Sequence, residues 1–324
     1  MKLTDFMNKS ESNFFSIEIS PPFKFKSINT IFSAVERLLP YKPAFVNITY
    51  HPLKITRISV DNISGEFIQK KHVHPLGLCA AIKYKYNVDV VPHFVCAGLN
   101  KVQVENDLSD FSFLGFKNIL ALRGDPVAAN AEFHPVDGGY QNASQLVTQI
   151  NSMRNSVFVN NIDKHAKIDF CVGVAGYPEK HFEAVNLEND ITNLKKKVDA
   201  GADYIITQIC YDLVNFERWL EAIRKAGINI PVIPGIKPLT SLSQLLTLKN
   251  VYNIHIPKRL EEMIVRADID NQAYQVGIEH GIELSESFIK LGFKGLHYFL
   301  MGNGKDIEEV VKAVYGFKNQ DLVK

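Results

Sequence analysis

The chain has 324 residues, room for two ordinary domains or one large barrel and far too many for a small disulfide scaffold. Lys and Arg total 36 against 35 Asp and Glu, a formal charge of +1, so no broad positive field exists to hold nucleic acid or an anionic membrane. With 46% hydrophobic and 22% charged residues, the composition supports a large buried core and argues against disorder.

The opening stretch MKLTDFMNKSESNFF mixes both charge signs and lacks a continuous apolar run with a small-residue cleavage site, so no secretory signal is expected. No run reaches the roughly 18 apolar residues of a membrane span. Cys79, Cys96, Cys171 and Cys210 stand far apart with no C-x-x-C pair. They read as inert buried thiols, which fits a reducing cytoplasm better than a zinc ribbon or a redox dithiol.

In chain order, β-rich runs recur as FFSIEIS at 14–20, AFVNITY at 44–50, DVVPHFVC at 89–96, NILALRG at 118–124 and IDFCVGVAG at 168–176. YIITQIC at 204–210, PVIPGI at 231–236 and GLHYFLM at 295–301 complete the set. Most are near-continuous apolar segments, the pattern of parallel strands buried on both faces. Helical periodicity fills the gaps, as in 102–115, in 187–201 where Leu187, Ile191, Leu194 and Val198 repeat and Gly201 can close the helix, and in 216–227. PKRLEEMIVRA and the stretch from Asn271 to Leu291 read as extra helices. This alternation predicts an α/β fold, a single (β/α)8 TIM barrel with extra helices over residues 1–324, with a doubly wound open sheet as the alternative.

Chemistry in such a barrel sits at the carboxyl ends of the strands. Those ends carry Glu18, then Asn47, Thr49 and His51, then His93, then Arg123-Gly124-Asp125. Tyr177, Glu179 and His181 follow, then Thr207 and Gln208, and finally Lys237. A carboxylate inside an apolar run, as Glu18 is, must pair, face a polar cavity or shift its pKa upward; raised toward neutrality it would serve as a general acid. A structural ion pair across the barrel mouth is the competing reading. Gly124 lets backbone approach a ligand, and Asp125 places an acceptor beside it. His93 could meet a phosphate or a cofactor, or be a satisfied structural histidine. Lys195, Lys196 and Lys197 alone read as a solvated helix face. Gly302-Asn303-Gly304 could cradle phosphate or simply turn the chain. No metal-ligand spacing is present, so metal catalysis is not expected.

Together the segments FFSIEISPP, FVNITY, VVPHFVC, NILALRGDP, VAGYPEKHFEA, LKKKVDAGADYIITQ and IPVIPGIKP, in this order, resemble the methylenetetrahydrofolate reductases from about Phe14 to about Leu300. The resemblance implies a barrel holding FAD at its carboxyl-end mouth, with NADH or NADPH and methylenetetrahydrofolate using the same flavin face in turn. It implies FAD contacts at Thr49, His93, Leu122, Arg123, Gly124, Asp125 and Ala143. These continue at Ala175, Tyr177, His181, Asp190 and Lys197. By the same resemblance Glu18 is the acid that opens the methylene bridge, Asp125 sits near flavin and pterin, and Gln208 bonds the substrate's polar edge.

Some positions depart from the family pattern. A substrate-stacking aromatic appears here as Leu242, Gly-Ala as His51-Pro52, the adenine loop as Asn142-Ala143-Ser144-Gln145, and an aromatic run as ICYD at 209–212. A compact bacterial-type enzyme is expected, without the adenosylmethionine-binding regulatory domain of eukaryotic relatives and forming a homo-oligomer. Two other readings stay open: a flavin-free pterin- or phosphate-binding barrel using Lys237 or Lys197, and a non-catalytic barrel that binds folate or flavin.

Overall fold

The computed structural model describes the chain except residues 52–53, 61–62, 70–71, 125–131, 160–166 and 317–324, with backbone alone between 52 and 71. Helix α1 (Leu3–Lys9) precedes strand β1 (Phe14–Ile19), and α2 (Asn29–Leu38) leads into β2 (Phe45–Ile48). A hairpin of β3 (Lys54–Val60) and β4 (Ile63–Gln69) follows, then α3 (Pro75–Tyr86). Alternation then runs β5 (Val90–Val95), α4 (Lys101–Phe113), β6 (Asn118–Leu122), α5 (Ala143–Arg154), β7 (Cys171–Gly176) and α6 (Leu187–Asp199). It continues with β8 (Tyr204–Ile209), α7 (Leu213–Lys225) and β9 (Val232–Ile236). Three helices, α8 (Leu242–Asn250), α9 (Lys258–Ile269) and α10 (Ala273–Lys290), intervene before β10 (Gly295–Phe299) and α11 (Lys305–Tyr315).

Eight parallel strands close into a barrel in the order β1-β10-β9-β8-β7-β6-β5-β2, and the antiparallel β3-β4 pair stands outside it. The fold is therefore the (β/α)8 barrel expected from the apolar runs. The runs were continuous because their residues are buried on both faces, as along all of β5 and β9. One set faces the helices in the main core. The other, with Phe14, Phe45, Val91, Leu120, Tyr204 and Ile233, fills the barrel interior.

Helix α1 closes the amino-terminal end of the barrel. Leu3 joins the interior cluster, its N–H donates to Asn118 Oδ1 at 2.7 Å, and Asn118 Nδ2 donates to Met1 O at 2.9 Å. Gly173 makes room for the largest interior ring: a Cβ there would lie 2.4 Å from Tyr204 Cζ. At the opposite end, Asn100, Asn142, Asn186, Asp212 and Ser241 each accept a backbone N–H in the first turn of the helix they cap. These caps fix where each helix starts, and so shape the loops around the mouth. Among the described residues no helix is long and apolar enough to cross a membrane.

Candidate active site

Inward positions alternate along β1, so Phe14, Ser16 and Glu18 rise in layers toward the carboxyl end. Glu18 thereby reaches a mouth cavity of about 330 Å³, whose wall also carries Thr49, His93, Leu122, Arg123 and Gly124. Ala175, Tyr177, His181 and Gln208 line it as well. An adjoining cavity of about 320 Å³ shares Leu122, Arg123, Ala175, Tyr177 and His181, and adds Ala143, Asp190, Lys196 and Lys197. The two hollows thus form a head and a side arm, and the predicted residues are divided between them.

One predicted residue stands apart from this group. Leu242 opens α8, its N–H donating to Asp268 Oδ1 at 3.4 Å, and it lines neither hollow. The aromatic rings at the mouth come instead from Tyr50, Tyr177, Tyr252 and Phe299. Asp125 lies outside the described residues.

Glu18 Oε2 lies 3.3 Å from His93 Nε2 and 3.3 Å from His297 Nε2. Burial alone pushes its pKa up, but the charge of His93 and hydrogen bonds from His297 and His93 outweigh burial and hold the carboxyl at about 2. The value raised toward neutrality that Glu18's apolar run suggested is therefore reversed by the two imidazoles. His297 was missed in the sequence although it carries the same signal as Glu18, a polar residue inside an apolar run. Burial pushes its imidazole below the ordinary value, while Glu18 pulls the other way.

Gly124 has φ +85°, and a Cβ on it would meet Ala97 Cβ at 2.9 Å, so only glycine fits this turn without strain. Arg123 makes a two-pronged ion pair with Glu183, at 2.5 and 2.8 Å, and lies over the Phe133 ring. In the side arm Lys197 Nζ donates to Ala175 O at 2.5 Å. Burial lowers the Lys197 pKa to about 8, against the opposing pull of Asp190. Gln208 Oε1 accepts from Ile209 N–H at 2.8 Å.

Lys237 is fully buried and ion-paired to Asp306. Gly302-Asn303-Gly304 forms a turn into α11, with Asn303 Oδ1 accepting from Lys305 N–H at 3.1 Å, and lines neither hollow. Among the described residues no group of three or more His, Cys, Asp or Glu side chains is arranged to hold a metal ion.

A family model of methylenetetrahydrofolate reductase matches residues 2–315. Methylenetetrahydrofolate reductase 1 of Schizosaccharomyces pombe is 29% identical over 310 residues, covering 95% of this chain and 47% of that protein. The 5,10-methylenetetrahydrofolate reductase of Escherichia coli is 28% identical over 293 residues, covering 90% of this chain and 86% of that protein. The chain spans about half the length of the yeast and plant relatives it matches. A solved Clostridium thermocellum structure, of an uncharacterized protein that binds two copies of 5-methyl-5,6,7,8-tetrahydrofolic acid, shares the fold at a TM-score of 0.57. Its sequence is 16% identical, and the likeness covers 97% of this chain and 98% of that one. Because the family match runs from the plug helix α1 to the last helix of the barrel, the chain belongs to the methylenetetrahydrofolate reductase family.

Proposed function

We propose that this chain reduces the methylene bridge of 5,10-methylenetetrahydrofolate to a methyl group, using NADH or NADPH and a bound FAD, and so supplies methyl groups for methionine synthesis. The observation that carries this reading is the joined pair of hollows, with the Glu18 carboxylate at the base of one and Lys197 in the other. FAD fits their shape and chemistry. Gly124 and Ala175 put no bulky side chain on the wall of the head, and Lys196, Lys197 and the amide-rich start of α6 suit a phosphate-bearing nucleotide arm. Thr49, His93, Leu122, Arg123, Ala143, Tyr177, His181 and Asp190 would hold the same group from the walls of the two hollows, with Asp125 next in the chain after Gly124.

Bound there, the flavin supplies hydride-transfer chemistry that amino-acid side chains lack. The chain's own residues do the rest. Glu18 gives a proton to the nitrogen that leaves as the methylene bridge opens. Gln208 and Asp125 orient the pterin edge, and the aromatic rim of the mouth excludes water from the reacting atoms. The flavin-free alternative loses one of its candidate lysines, because Lys237 is buried against Asp306.

An absorbance spectrum of the fresh protein tests the reading. A flavin band that bleaches with NADH or NADPH under anaerobic conditions and returns with methylenetetrahydrofolate is the expected result. A colourless protein that also fails to take up added FAD would overturn it.

A further inference from the structure

A proton donor must hold a proton, yet the Glu18 carboxyl is ionised far below neutral pH. Two imidazoles meet its Oε2 at the same distance, and the rest of their surroundings differ. His93 lines the cavity, and its Nε2 is shared with the Asn47 side-chain amide, 3.2 Å away. His297 is fully buried and outside the cavity wall, and its Nε2 faces Glu18. Its other nitrogen, Nδ1, lies 2.8 Å from Ser16 Oγ, and that oxygen lies 3.4 Å from the Leu296 carbonyl.

With the hydroxyl donating to that carbonyl it can only accept from the ring, which puts a hydrogen on Nδ1; with the hydroxyl donating to Nδ1 instead, the hydrogen sits on Nε2. With Nδ1 protonated, Nε2 can bond Glu18 in two ways. It donates as an imidazolium to the carboxylate, or it accepts as a neutral ring from the carboxylic acid. One proton lies between Nε2 and Oε2 in both; burial weakens the ring's own hold on it while Glu18 opposes burial, so the pair loads more fully as pH falls.

We propose that His297 is a positioning residue that stores the proton Glu18 delivers, with Ser16 fixing the ring so that only Nε2 exchanges it. The inference rests on Glu18 being the donor. In the step, the Nε2–H bond breaks and an Oε2–H bond forms, turning a charged pair into a neutral one with no electron transferred. A substrate entering the cavity removes water that favours the charged pair, which tips the proton onto Glu18. After Glu18 passes it to the substrate nitrogen, solvent reloads the pair with one proton per turnover.

The titratable group against this pair is His93 from β5; Arg123, His51, His181 and three tyrosines, Tyr50, Tyr177 and Tyr252, face the same cavity. Lys237, after β9, is held by Asp306 instead.

The test uses the purified, flavin-loaded protein labelled with 15N-histidine. The His93 and His297 signals are recognised because they are the ones expected to move in Glu18→Gln, and His297→Gln removes one of them. The expected result is a His297 ring whose Nδ1 carries hydrogen from about pH 5 to 9 while Nε2 exchanges. A bare Nδ1 with hydrogen fixed on Nε2 overturns the proposal.

His297→Gln keeps an amide donor for Glu18 but stores no proton. It should slow the folate half-reaction by about 10²-fold or more and change its pH profile, while reduction by NADH or NADPH and flavin retention stay near wild type. Equal losses in both half-reactions mark a purely structural role and overturn it. If His297→Gln does not fold, His93→Gln removes the other signal, and the one that remains sensitive to Glu18→Gln decides the tautomer. Glu18→Gln separates the two ideas: an intact folate half-reaction in that variant removes Glu18 as donor, whatever the His297 ring shows.

Discussion

Two carboxylates near the same mouth are pulled in opposite directions by their neighbours. Imidazoles hold Glu18 at about 2, whereas burial raises Glu179 to about 7, with Asp212 adding to the rise and the His255 N–H and Cys210 Sγ opposing it. Glu18 therefore adds stability above its unfolded value of 4.5, and that contribution is lost as pH falls from there toward 2. Glu179 has the opposite sign. Its contribution is complete below 4.5 and disappears as pH rises through about 7. Relative to wild type, Glu179→Gln should gain roughly 1 kcal/mol of stability between pH 5 and 8, after a discount for solvent screening. Thermal melts of both proteins across that range check the sign; a constant difference would remove Glu179 as the source.

Lys197 gives a binding counterpart. Its pKa of about 8 means that the free site loses a positive charge above that pH, so FAD affinity should fall as pH rises from 8 to 9.5. Lys197→Arg should hold a flatter affinity over the same range. Fluorescence titration of the apoprotein with FAD measures both profiles.

At the scale of elements, the α8–α9 connection carries Tyr252 to the mouth, while α8 itself keeps Leu242 away from it. Leu242→Phe should therefore leave the KM for methylenetetrahydrofolate within about twofold. Tyr252→Leu should raise it by about three- to tenfold, the scale of one aromatic contact near 1 kcal/mol. Steady-state kinetics on the two variants distinguish the positions, and the reverse pattern would return the role to Leu242.

The barrel strands were legible because burial on both faces leaves a continuous apolar run, which few other arrangements produce. The β3-β4 hairpin was not, although KITRISV and ISGEFIQ carry several β-branched residues on either side of Asp61-Asn62, because charged and hydroxyl residues break up their apolar positions. A search for continuous runs passes over such a pair. The site was legible where a polar residue interrupts a run, as at Glu18 and His93. It was obscure where contact depends on distant elements, as with Glu183 reaching Arg123 or Tyr252 reaching the mouth.

At the scale of the whole molecule, the buried pair of Lys237 after β9 and Asp306 in α11 ties the late strands to the last helix. Removing one partner strands a charge in the interior. Asp306→Asn should cost about 3–5 kcal/mol, read as a lower denaturant midpoint, and Lys237→Met with Asp306→Leu should recover much of the loss. A midpoint unchanged in the single variant would show that water already reaches the pair.

The closure of the barrel has a consequence for its making on the ribosome. Strand β1 hydrogen-bonds on one side to β2, its early neighbour, and on the other to β10, the last strand of the barrel to be synthesised. Until β10 emerges, β1 and β9 each keep a bare edge of unpaired amides and carbonyls, able to pair with the same edge of another nascent chain. A ribosome stalled before Gly295 would therefore expose a sticky half-built sheet, and such chains should depend on chaperones far more than the finished protein does.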